Sequence, residues 1–194
     1  MLISHRYKFI NIAVPATASI STWKTFRQYS DVVAVNDMNS PYYHHAESSL
    51  VKKEMPDIWD SYFKFCFVRN PWDRIISHYF SSSQGDWHGR TYDYAKIPFD
   101  DFVETHVLSE VGCLMCKKQS VWYTGLDYIG RFENYEDSIH TIFRKIGINQ
   151  EPEIFKVNTT NHKSYREYYN DRTAMMVYEK FKDEIEYLGY EYED

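Results

Sequence analysis

Phe65-Cys66-Phe67-Val68-Arg69-Asn70-Pro71-Trp72-Asp73-Arg74-Ile75-Ile76-Ser77 holds a strand, a break and a helix start in one continuous stretch. Phe63 to Val68 is aromatic and β-favouring, the strongest strand signal in the chain. Arg69-Asn70-Pro71 stops it. Asn70 suits an N-cap, and Pro71 suits the first helical position, where its missing N–H is no loss. Trp72, Ile75, Ile76 and Tyr79 then fall on one apolar helical stripe. This places Arg69 at the carboxyl end of a strand, where open α/β sheets bind ligands. Ser77 follows two turns into the helix, and a guanidinium with a hydroxyl is suited to grip a phosphate. Asp73 and Arg74 read as a local surface ion pair.

The flanking sequence repeats the alternation. Lys8 to Val14 reads as a buried strand stopped by Pro15. The small-residue loop Ala16-Thr17-Ala18-Ser19-Ile20-Ser21 follows, and Thr22 to Tyr29 reads as a helix with Ser21 or Thr22 as its N-cap. Strand, small-residue loop and helix together present backbone N–H groups to an anion. The loop has no glycine and no GxxxxGK[ST], so it is not a Walker A loop. Val32 to Val35 reads as a short strand, and Ala46 to Glu54 as a helix ended by Pro56. The polar stretch 81–97 reads as a loop, and Phe99 to Val107 and Lys117 to Trp122 as helices. Tyr128 to Phe132 is a third strand, and Asn134 with Asp137 resembles a capped start for a helix to Ile146. Asp171 to Leu188 is a final helix ended by Gly189. Strands alternating with helices, without repeats or a linker, predict one α/β domain over 1–194 with a central, mainly parallel sheet.

With 194 residues the chain can bury a core without staples. Its net charge of −6 sits mostly at the acidic C-terminal end, which argues against a general nucleic-acid or anionic-membrane binder. Cys66, Cys113 and Cys116 make no disulfide framework, and the lone Cys113-Leu-Met-Cys116 lacks the further ligands of a zinc site. No stretch is long and apolar enough for a membrane span. Reduced thiols and a Met1 close to the first strand lead to an expected cytoplasmic location.

The stretch from Phe65 to Tyr79 resembles the 3′-phosphate-binding segment of the PAPS-dependent sulfotransferases, nearest to the carbohydrate sulfotransferases with an FVRNPWDR-type motif. Pro15 to Ser21 resembles that family's 5′-phosphosulfate loop, usually PKTxxTS after a strand. His45 with Trp59, Tyr62 and Phe63, the segment Ile129 to Asn134, Tyr165 to Tyr169, and Leu188-Gly189-Tyr190 resemble further pieces in the family's order. The resemblance implies a P-loop nucleotide-kinase-like three-layer fold. It implies PAPS (3′-phosphoadenosine 5′-phosphosulfate) as donor, PAP as product, and a small-molecule or glycan hydroxyl as acceptor, without a metal. Carried over by position, Arg69 and Ser77 hold the 3′-phosphate, and Ala16, Thr17, Ala18, Ser19, Ile20, Ser21 and Thr22 hold the 5′-phosphosulfate.

The chain departs from that pattern at one place. The family's lysine after the loop proline is Ala16, and a motif threonine is Ile20. In the family that lysine neutralises charge on the departing phosphate, a large contribution in transfer reactions. Lys24, Arg27, Lys52 and Lys53 are candidate replacements. Otherwise the chain is a binding protein of this fold with weak or no turnover. A base for the acceptor hydroxyl is sought at His45, with His44 in reserve and Glu47 next; a histidine that packs or caps a helix is the alternative. Arg131 and Lys163 are candidates for the cofactor, Arg131 equally for pairing with Glu133 or Glu136. Trp87 and His88 are candidates for the acceptor, and loop tyrosines such as Tyr42, Tyr43, Tyr92, Tyr94, Tyr123, Tyr165, Tyr168 and Tyr169 for stacking. A kinase or NTPase reading lacks both its GK[ST] and a magnesium-binding aspartate after a strand.

Overall fold

A computed structural model describes the chain except residues 36, 38, 82–92, 110–113, 158–161 and 194. Trp87, His88, Tyr92 and Cys113 therefore lie outside the described residues, as does most of the loop expected at 81–97. The chain divides into two compact units, Met1–Val68 with Gln119–Asn158, and Arg69–Lys118 with Thr159–Asp194.

The first unit carries a mixed five-stranded sheet in the order β3-β1-β2-β4-β5. The strands are β1 (Leu2–Ser4), β2 (Phe9–Asn11), β3 (Val32–Val33), β4 (Phe63–Val68) and β5 (Tyr128–Arg131). β2, β4 and β5 are parallel, with Phe9 opposite Phe63 and Val68 opposite Arg131. β1 is antiparallel to both β2 and β3. This is the α/β architecture with a parallel centre read from the sequence; β1 is an added element.

Alternation sorts the faces of β4. Phe65 and Phe67 join Phe9 in a core with Phe26 from α1 (Ser19–Phe26) and Ile139, Ile142 and Phe143 from α7 (Tyr135–Lys145). Ring centroids 5.0 Å apart for Phe26–Phe65 and 5.2 Å for Phe26–Phe143 mark the α1 contact. Gly130 marks a close approach: a Cβ there would stand 2.8 Å from the Phe67 ring and 3.1 Å from Ser138 Cβ. A side chain there would have to displace the Phe67 ring and crowd Ser138 of α7. Elsewhere in this unit lie α2 (Ser48–Glu54), α3 (Pro56–Ser61) and α6 (Ser120–Tyr123). Ser48 Oγ donates to the Val121 carbonyl at 3.2 Å, tying α2 to α6, which packs on β4. Pro56 occupies the first turn of α3, starting a helix as well as ending one.

The second unit is helical in its described residues. It holds α4 (Pro71–Ser81), α5 (Phe99–Phe102), which runs on as a π-helical turn Val103–Val107, and α8 (Asp171–Leu188). Trp72 Nε1–H donates to the Ala174 carbonyl at 3.0 Å, fixing α4 on α8. α8 starts with a reciprocal Asn170–Thr173 capping box and ends at left-handed Gly189, the stop read from the sequence.

Candidate functional site

In the first unit, the chain leaving β2 reaches the loop expected to bind an anion. Ala16 and Ala18 adopt left-handed φ values of 62° and 63°. Such conformations cost non-glycine residues about 1 kcal/mol or more, and gather where a backbone is shaped for a ligand. Thr17 Oγ1 donates to the Val14 carbonyl at 3.0 Å and pins the turn. The first bond of α1 runs from Thr22 N–H to the Ala18 carbonyl at 2.9 Å. The N-cap is Ala18, not Ser21 or Thr22 as read from the sequence, and its side chain cannot accept. The first-turn N–H groups of α1 therefore have no side-chain cap, while the helix dipole favours an anion there.

Three hydroxyls expected to face the anion bond within the protein. Ser21 Oγ accepts from Val157 N–H at 3.1 Å and donates to its carbonyl at 3.4 Å. Thr22 Oγ1 shares a 3.1 Å hydrogen bond with the Tyr135 phenol. Burial raises the Tyr135 pKa, and hydrogen bonds with Thr22 and Thr25 oppose that rise. Thr17 is held as above. Ser19 is half-buried, and its hydroxyl has no partner among the described residues. Apart from Ser19, what the loop presents is backbone.

The two histidines separate. His45 Nδ1 lies 2.7 Å from the Ala13 carbonyl. A carbonyl only accepts, so Nδ1 carries a proton; in the neutral form of this tautomer the lone pair is on Nε2. The Trp122 indole N–H holds the His45 carbonyl at 2.9 Å. His44 is turned inward, with its buried Nε2 making no hydrogen bond. Burial first, then the charges of the Met1 amine and His45, lower its pKa from 6.5 to about 2. His44 is held neutral and out of proton exchange. Glu47 is the N-cap residue of α2.

None of the four candidate replacement cations is buried in the loop. All are exposed; Arg27 lies 4.8 Å from the Trp23 ring centroid, and Lys53 pairs with Glu54 at 3.3 Å. Arg131 ends β5 beside Val68 and is half-buried. One of its expected partners, Glu136, pairs with Lys156 at 2.5 Å.

In the second unit, Arg69 is 7% exposed, and its Nε–H donates to Asp73 Oδ2 at 2.7 Å. Asn70 Oδ1 accepts from Trp72 N–H at 3.0 Å, the cap expected for α4. Asn70 Nδ2 reaches the Glu191 carbonyl at 3.0 Å. Ser77 is nearly buried on α4, and its hydroxyl has no partner among the described residues. The surface pair Asp73–Arg74 does not form. Arg74 is 1% exposed and donates to the Lys117 carbonyl at 2.9 Å, while Asp73 serves Arg69. Lys163 pairs with Glu167 at 3.1 Å. Sequence reasoning missed Asp73 as the partner of Arg69, although the i,i+4 spacing carries that signal.

Among the described residues there is no group of three or more metal-ligating side chains, and no helix is long and apolar enough to cross a membrane. Residues 1–191 match the sulfotransferase family. An uncharacterized protein from Archaeoglobus fulgidus is 27% identical over 111 residues, 56% of this chain and 87% of its own length. No solved structure matches.

Proposed function

The chain belongs to the sulfotransferase family, and from that premise we propose that it moves a sulfuryl group from PAPS to a hydroxyl of a carbohydrate or similar acceptor. The two units together form the sulfotransferase domain, as the match across both supports. The observation that carries the proposal is in the first unit. His45 donates its Nδ1–H to Ala13, two residues before the loop proline, which ties the ring to the chain that enters a turn with two left-handed residues.

PAPS supplies an activated sulfuryl group whose bond to the 5′-phosphate breaks as the acceptor oxygen bonds to sulfur. The chain's own residues do the rest. The uncapped first turn of α1 binds the 5′ end through backbone N–H groups. Arg69 and Ser77 hold the 3′-phosphate through a guanidinium and a hydroxyl. His45 Nε2 takes the proton of the acceptor hydroxyl and becomes an imidazolium, which the Ala13 carbonyl steadies through Nδ1–H. The uncapped turn of the first unit supports an anion site, and Arg69 with Ser77 in the second supports a phosphate site. They do not supply the lysine expected at position 16.

Ala16 favours a second reading, a PAP- or PAPS-binding protein with little turnover. Melting with PAP, PAPS or MgATP, followed by release of PAP from PAPS with a panel of glycan acceptors, separates the two. Protection by PAP with acceptor-dependent turnover supports transfer, and protection without turnover supports the second reading. Protection by MgATP but not PAP would overturn both.

A further inference from the structure

The Arg69–Asp73 pair has a geometry that the phosphate-binding reading alone does not require. Arg69 leaves β4 and turns back onto the first turn of α4, where Asp73 takes its Nε–H at 2.7 Å. Both side chains are largely withdrawn from water, at 8% and 19% exposure. Asp73 also lies in the first turn of α4, where the helix dipole favours a carboxylate. Four residues on, along the same ridge, stands Ser77, whose hydroxyl has no partner among the described residues. One helix face thus carries a held guanidinium and an available hydroxyl in a row.

We propose that Asp73 is a positioning residue that fixes the plane of the Arg69 guanidinium and so sets the selectivity of this protein for a nucleotide bearing a 3′-phosphate. The proposal rests on the reading of Arg69 and Ser77 as the 3′-phosphate grip. A guanidinium carries five donors in a rigid fork, and a phosphate is best gripped by two of them in parallel. Asp73 bonds Nε, and so orients the fork from that side. Its negative charge opposes the phosphate at close range. Against that, a buried arginine without a fixed carboxylate must lose side-chain freedom when the ligand arrives. A carboxylate only repelling the ligand would make its removal strengthen binding. A carboxylate acting through orientation would make its removal weaken binding, and an uncharged oxygen in the same place would recover it.

The test is calorimetric titration of PAP and of AMP, which lacks the 3′-phosphate, into the full chain and its variants. The expected result is preference for PAP in the unmodified protein. Asp73→Ala should lower the PAP-to-AMP affinity ratio roughly tenfold, the loss of one charge-assisted contact, with AMP affinity little changed. Asp73→Asn, which keeps an oxygen in reach of Nε, should recover most of that ratio. If the alanine variant does not fold, Asp73→Ser gives the same reading, since its side chain is too short to reach Nε. An unchanged or raised ratio in the short variants would overturn the proposal, and so would equal losses of PAP and AMP. An asparagine variant as poor as alanine would overturn it too. An unmodified protein that does not distinguish PAP from AMP would instead sink the reading of Arg69 and Ser77 beneath it.

Discussion

The loop of the first unit and the α4 segment of the second are both read as anion-binding, yet they are built in opposite ways. The loop from Pro15 to Thr22 has no basic side chain, and its Thr17, Ser21 and Thr22 hydroxyls bond within the protein. What it offers is the Ser19 hydroxyl and backbone, bent through two left-handed alanines into an uncapped helix. The α4 segment offers side chains: a nearly buried arginine held by a carboxylate, and a hydroxyl without a described partner. Backbone donors are fixed in place and carry only partial charges, whereas a lysine would add a full one. A guanidinium supplies a full charge, and here it sits at the start of α4. The reading proposed above therefore puts the full charge at the 3′-phosphate and not at the leaving group.

That contrast predicts mutational effects of decreasing size. His45→Gln should lower turnover about a thousandfold, the range of a lost general base, while PAP affinity stays within a few fold. Single-turnover kinetics beside calorimetry check it, and a parallel loss of binding would mean that the ring packs the loop instead. Ala16→Lys gives the loop the charge it lacks and should raise kcat about a hundredfold with a smaller change in PAP affinity. Steady-state kinetics that show a gain in binding alone would break the contrast. The smallest effect separates burial from chemistry within the first unit. His44 has its pKa lowered from 6.5 to about 2 in the folded protein. The unfolded chain therefore binds the extra proton first, so the stability this group contributes is present above about pH 6.5 and is lost as pH falls towards 2, by at most about 1.4 kcal/mol per pH unit. His44→Leu should flatten the pH dependence of Tm between about pH 6 and 4, measured by calorimetric melting.

The sequence made some of this legible. Asn70 and Pro71 announce the start of α4, and the aromatic alternation of β4 announces the centre of the sheet. β1 has only three residues, followed at once by polar His5 and Arg6, too short a run for a period to show. Asp73 and Arg74 are adjacent, and adjacent helical residues point about 100° apart, so the ion pair runs four residues back to Arg69. Ser21 reads as a donor in a loop until Val157, 136 residues away, is seen to occupy it. His44 and His45 are alike in sequence. The Ala13 carbonyl on His45 and the buried Nε2 of His44 tell them apart.

The most direct test of the account is calorimetric titration of PAP into the unmodified protein and into Arg69→Ala. Micromolar binding that falls by a hundredfold or more in the variant, about 3 kcal/mol for a lost charged phosphate contact, is the predicted result. No binding by the unmodified protein, or equal binding by both, would contradict it.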